Sequence, residues 1–218
     1  MNDAADTATD TDDRRRRLLD AAAALFLRFG FKKTSMEEVA RAAGFSRQGL
    51  YFHFATKEDL LRAAVQHVLI SAVAAASARL EDDDVTVEAQ LVGGFDAWLG
   101  PFIGIVGEDA SDLAAVAKEL VAAQLAECSH LFVDAVTKHL RSSGLAAAYK
   151  PTGLTARQLA ETLYATGRGL KQGATREAFL DGLTVAVRAF CVPLRLTTTR
   201  TTTTTKAPNR QRRLPSNA

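Results

Sequence analysis

The stretch TSMEEVARAAGFSRQGLYFHFATKEDLL, residues 34–61, leaves its chain little choice of fold. Ser35 is followed three residues later by Glu38. At that spacing the hydroxyl caps a helix start and the carboxylate reaches back to the cap's own N–H. Gly44 stands where that helix must stop, because glycine takes the left-handed backbone at no steric cost. Ser46 opens a short helix reaching about Phe54, and Thr56 opens a longer one, with Asp59 in the place of the capping-box acid. Ala40, Gly44 and Leu50 have the spacing of a helix-turn-helix. The small residue lets the two helices meet, the glycine turns the chain, and the leucine plugs the core. Met36, Val39, Ala43, Phe45, Leu50 and Phe54 then fall on the inward side.

The rest of the chain extends the helical reading. Alanine is abundant, aromatics make up 7%, and no run alternates like a strand. A helix over about Arg14–Phe29 is expected from Leu18, Ala22, Leu25, Phe26 and Phe29, with Gly30 stopping it. The Thr56-capped helix should span about Lys57–Leu80. Further helices are expected near Val85–Leu99, Asp109–Ala126, Ser129–Ser142, Ala156–Gln172 and Arg176–Val192. The domain reading is a disordered Asp-rich lead over 1–13, a helix-turn-helix domain over 14–55, a helical ligand-binding and dimerisation domain over 56–196, and a disordered basic tail over 197–218.

Charge divides along the same lines. Residues 14–65 hold eleven basic and five acidic side chains, whereas the body is mildly acidic. A basic head on a body of different character points to a polyanion partner. Two distant cysteines, Cys128 and Cys191, suggest a reducing compartment. The lead has no apolar signal region, and no apolar run approaches the roughly 20 residues of a membrane span. The expectation is a cytoplasmic protein without a membrane partner.

Arg47, Gln48 and Gly49 remain near the start of the exposed third helix, the part of a recognition helix that meets base edges. Arg47 can fork onto guanine O6 and N7, and Gln48 can pair with adenine N6 and N7. Gly49 costs about 1 kcal/mol against alanine inside a helix, for which close approach to the groove floor is the expected return. Tyr51 and His53 lie at the edge, within reach of phosphate oxygens or of the second domain. Arg14, Arg15, Arg16 and Arg17 either pair with the acidic lead or contact phosphate and the minor groove. Lys57 has Glu58 and Asp59 as alternative partners.

From about Arg14 to Val65 the sequence resembles the DNA-binding domain of the tetracycline-repressor (TetR) family. The run FGF, then Thr34, the helix-turn-helix, LYFHF and KEDLL carry that resemblance. It implies a homodimeric, all-α regulator, a repressor that binds a palindromic double-stranded operator and is released by a small molecule. Arg47, Gln48 and Gly49, behind Ser46, match the base-reading positions. Tyr51, His53 and Lys57 match phosphate contacts, as do Thr34 and Ser35 at a helix N-terminus. Gln48-Gly49 departs from a common pattern of glycine followed by a small residue, which bears on operator sequence.

In the body, Leu159, Leu163, Thr166 and Leu170 form one stripe, and Phe179, Leu183, Val187 and Phe190 another. Two stripes per subunit would build a four-helix interface across a two-fold axis; packing within one subunit is the alternative. Phe95, Trp98, Phe102, Gln124, Cys128, His130, Phe132 and Tyr164 are the expected lining of an apolar effector site, or else ordinary core. Cys128 and His130 alone are a weak metal signal, and no catalytic motif, cofactor fingerprint or metal set stands out. Two other functions stay open: a DNA-binding regulator without an effector, and an all-helical enzyme with a DNA-binding head.

Overall fold

The computed structural model describes residues 3–103 and 111–202, with side chains over 12–103 and 121–194. Among them every element is helical. The helices are α1 (Asp3–Lys33), α2 (Met36–Ala43), α3 (Arg47–His53), α4 (Lys57–Leu80), α5 (Val87–Leu99), α6 (Ser111–Ser142), α7 (Leu145–Ala148), α8 (Ala156–Lys171) and α9 (Arg176–Thr202). Single 3-10 turns follow α5 at Gly100–Phe102 and α7 at Lys150–Thr152.

Two apolar cores result. The first gathers Leu18, Ala22 and Phe26 of α1, Val39 of α2, Leu50 of α3 and Leu60, Leu61 and Ala64 of α4. The second packs the far half of α4 with α5, α6, α8 and α9. Val65 touches both, so α4 belongs to both units.

Local signals placed most boundaries. Ser35 and Glu38 close the capping box, with the Glu38 N–H donating to Ser35 Oγ at 3.2 Å and the Ser35 N–H to Glu38 Oε2 at 2.8 Å. The Ser35 hydroxyl, and after it the Ser35 N–H, hold the Glu38 carboxyl below the usual range. Gly44 adopts φ 72°, and the N–H that follows it, on Phe45, returns to Ala40 O at 2.8 Å. Gly30 breaks α1 at φ 80°, ψ 169°, which sets Phe31 and Thr34 off on a new course.

Four expectations need correction. The segments 109–126 and 129–142 form one helix, α6. Nothing in Glu127-Cys128-Ser129 breaks a helix, and the Ser129 hydroxyl donates back to Leu125 O at 2.7 Å. Helix α1 begins at Asp3, inside the expected disordered lead. Helix α9 continues through Pro193 to Thr202; residues 203–218 of the expected tail lie outside the described residues. Helix α4 is, by length and composition, apolar enough to cross a membrane, although no such run was expected. Its apolarity serves packing against α1, α5 and α6, with Leu69, Ala72, Ala76 and Leu80 buried.

Candidate nucleic-acid interface

Three caps and one lysine fix the geometry of the head. The Gly49 N–H donates to Ser46 Oγ at 3.0 Å, which starts α3. A Cβ on Gly49 would sit 3.0 Å from that same oxygen. The glycine therefore makes room for the cap, a reason that the sequence reading missed. At α4 the Asp59 N–H donates to Thr56 Oγ1 at 3.0 Å, and the hydroxyl donates to Asp59 Oδ2 at 2.7 Å. That hydroxyl, more than the nearby Arg62, keeps the Asp59 carboxyl low.

Lys57 does not pair with Glu58 or Asp59. Its ammonium donates to Phe31 O at 2.9 Å and Thr34 O at 3.1 Å, and sits 4.3 Å from the Phe31 ring centroid. It ties the start of α4 to the turn before α2. Those two bonds use two of its three donors. Thr34 is a correction. It is 2% exposed, and its hydroxyl donates to Gly30 O at 2.8 Å and Leu25 O at 3.3 Å. Its side chain locks the α1 break and cannot also reach DNA.

The outward face of α3 carries Arg47, Gln48, Tyr51, Phe52 and His53, all exposed. The Arg47 guanidinium lies 5.9 Å from the Tyr51 ring centroid and only loosely approaches Glu37, at 3.9 Å. His53 stands edge-on to Phe45, centroids 5.8 Å apart. Phe52 was overlooked: it is 88% exposed on the face that the head presents outward. Its full exposure follows from its place in the helix, since Phe54 and Leu50 take the inward positions.

The four arginines of α1 divide. Arg14 stacks over Phe45 at 5.4 Å and Arg15 over Phe54 at 5.6 Å, so both brace α1 against the α2–α3 turn and the end of α3. Arg16 makes an exposed ion pair with Asp13 at 3.6 Å, and Arg17 is exposed. Ser35, beside the N-terminus of α2, stays exposed. The result is a surface of cations, helix N-termini and rings around one short helix, suited to a groove bordered by phosphates.

The body residues expected to line a cavity mostly pack on one another. Phe95 and Phe132 meet edge-on at 5.0 Å, Trp98 stacks on Phe132 at 5.5 Å, and Tyr164 leans on Phe132 at 5.9 Å. Phe102 lies edge-on to Trp98 at 6.5 Å and is half-buried. The Tyr164 hydroxyl donates to Ser129 Oγ at 3.0 Å. Cys128 is buried, and burial, then Glu127, pushes its thiol up. Gln124 is half-buried and His130 exposed, so the structure does not bring His130 to the ring cluster. A surface groove of about 400 Å³ lies elsewhere, between α4, α5 and the start of α9, lined by Arg79, Asp96 and Arg176 among others.

The expected dimer stripes face inward. Leu159, Leu163, Phe179, Leu183 and Val187 are 0–3% exposed in the single chain. Thr166, Leu170 and Phe190 are half-buried, and Leu170 packs against Gly182, where a Cβ would meet it at 2.9 Å. Gly167 lets α5 approach α8, a Cβ there lying 3.0 Å from Leu99 and 3.1 Å from Phe95. The outer faces carry Ala165 and Gly169 on α8, and Val185 and Val192 on α9, the valines 67% and 46% exposed.

Residues 18–64 match the profile described as bacterial regulatory proteins, tetR family. A transcriptional activator named FasR from Mycolicibacterium smegmatis is 38% identical over 88 residues, covering 39% of this chain and 40% of that one. A transcriptional repressor named KstR2 from Rhodococcus jostii is 40% identical over 57 residues, covering 26% and 28%. The chain thus spans less than half the length of these relatives. In fold, a TetR-family regulator from Agrobacterium tumefaciens superposes with a TM-score of 0.56 at 19% identity, over 82% of this chain and 97% of that one. Residues 18–64 thus match the DNA-binding head of the TetR family of bacterial regulatory proteins, and the chain has the fold of TetR-family structures.

Proposed function

We propose that this protein is a DNA-binding transcriptional regulator of the cytoplasm, a repressor that grips a palindromic operator as a homodimer and lets go when its body takes up a small molecule. One observation carries the DNA reading. The helix-turn-helix spends its caps, Thr34 and its apolar residues inward, and leaves Arg47, Gln48, Tyr51, Phe52 and His53 outward on α3. Arg47 and Gln48 read bases. Tyr51, His53, Ser35 and the spare donor of Lys57 meet phosphates, with Arg16 and Arg17 beside them. Ser46 and Gly49 shape the start of α3, while Arg14 braces the turn before it and Arg15 its end.

A homodimer follows from the geometry of reading DNA, because two heads about 34–36 Å apart meet successive major grooves. The outer faces of α8 and α9, with Ala165, Gly169, Val185 and Val192, are the surface we assign to it; Gly169 has open space where a Cβ would stand. Selection of bound duplexes from a random library tests the reading. The expected outcome is a two-fold symmetric site whose preference at one base pair per half-site relaxes in Arg47→Ala, with a loss of about 1–3 kcal/mol. Equal losses on selected and random DNA would remove Arg47 from base reading.

A second reading, regulation without a small effector, draws on the packed state of Phe95, Trp98, Phe132 and Tyr164. Titration calorimetry separates the two once a ligand is found. Effector control requires operator DNA to weaken ligand binding by the factor by which ligand weakens operator binding. Equal ligand affinity with and without operator rules that control out.

A further inference from the structure

The ring cluster of the body holds a hydrogen-bond donor with no acceptor. Trp98 is 2% exposed, and its Nε1–H is buried without a partner. Such a donor is costly to bury unless something accepts from it. Two short chains of ring contacts lead from this indole to cations on α8. Trp98 touches Phe102, whose ring centroid lies 5.2 Å from Lys171 Nζ. Trp98 also stacks on Phe132, which leans on Tyr164, whose ring lies 5.8 Å from the Arg168 guanidinium.

Arg168 and Lys171, three residues apart, share one face of α8. Among the described residues neither has a carboxylate partner, while Arg157 has two and Arg176 has one. A position in the last turn explains why cations are tolerated there. It does not explain why the Lys171 ammonium is half-buried against a phenyl ring. Burial first, and the neighbouring Arg168 second, push the Lys171 pKa down. Two like charges beside a hydrocarbon cluster, with an unpaired donor behind it, are relieved by an anion.

We infer that the body's ligand is an organic anion: its apolar or aromatic part enters the ring cluster past Phe102, Lys171 and Arg168 hold its anionic oxygens, and an acceptor atom on it takes the Trp98 N–H. This rests on the effector reading above and names the chemical class of the effector. Phe102 is the ring that gives way, being half-buried in the 3-10 turn that ends α5. The buried Phe95 and Phe132 stay as the floor.

The chain has one tryptophan, so its emission reports on this cluster alone. The full-length protein is titrated with 4-phenylbutyrate, 4-phenylbutanol and 4-phenylbutylammonium into the millimolar range. The expected result is a shift of Trp98 emission with the carboxylate, at an affinity about tenfold or more above that of the alcohol, with the ammonium weakest. In Lys171→Met/Arg168→Gln the carboxylate should lose that advantage while the alcohol binds as before. Retained alcohol binding shows that the variant is folded. Equal affinities of carboxylate and alcohol in the unaltered protein would overturn the anion and leave an effector site in place. No emission change with any of the three would overturn the anion site itself; the effector reading is then judged separately, by native mass spectrometry of ligand carried through purification.

Discussion

Lys57→Met is the most informative single change, because it separates two roles for one ammonium. Methionine keeps most of the stem's packing and deletes the charge. Two carbonyls, Phe31 O and Thr34 O, then lose donors at 2.9 and 3.1 Å, and the Phe31 ring loses its cation. Hydrogen bonds from a charged donor contribute roughly 1.5–3 kcal/mol each in protected settings. Both bonds are only part-buried, so about 2 kcal/mol for the pair is the reasonable figure. For a chain of 150–250 residues that corresponds to a fall in Tm of about 4–8 °C. The assay is a thermal melt followed by circular dichroism, with a salt titration of DNA binding alongside. We expect the melt to fall by that amount, affinity to drop alike on all sequences, and the salt slope to flatten by about one contact. A variant that melts with the unaltered protein would refute the stapling of α4 to the α1–α2 turn.

Phe52→Ala should leave the melting temperature within about 2 °C, since surface substitutions rarely exceed about 0.5 kcal/mol, yet weaken DNA binding; unchanged binding would take Phe52 out of the interface. Val185→Asp with Val192→Asp should give folded monomers in sedimentation, with poor operator binding, whereas Leu163→Asp should unfold the body, because Leu163 is fully buried within one chain. Dimers persisting in the valine variant would move the interface elsewhere. Glu38 and Asp59 are both held low by their caps, so their contribution is fully present above the ordinary carboxylate range and is lost as pH falls through their lowered values. Thr56→Val should return Asp59 toward the ordinary range in an NMR titration; an unmoved Asp59 would assign its shift to Arg62.

The head was legible because its signals are local. Ser35, Gly44, Ser46 and Thr56 each act within four residues, and each cap is made as the spacing implies. The partners of Thr34 and Lys57 were not legible, because Leu25, Gly30 and Phe31 come within reach only through the way the chain leaves Gly30. The body shows a different limit. Periodicity finds the apolar stripe of a helix and says nothing of what covers it, so Leu163 and Phe179 read equally well as interface or as core. The same holds for Phe132 and Phe95, whose stacking on neighbours is a matter of tertiary arrangement.

Helix α4 contributes alanine to its own packing: Ala64, Ala72 and Ala76 are buried along it. Between Leu61 and Leu69, and again between Leu69 and Leu80, these methyl groups leave stretches of low relief, over which a neighbour slides or rolls at less cost than over an unbroken row of leucines. At 1.5 Å per residue its 24 residues span about 36 Å. A pivot of about 10° at the body end would then swing the Lys57 end through about 6 Å. In the proposed dimer, two heads that must stay about 34–36 Å apart to meet successive grooves would fall out of step with the double helix. In the proposed dimer the gearing would thus lie in the ratio of that long rod to the small adjustment at its base, and replacing Ala72 by leucine should stiffen the gear without touching either end.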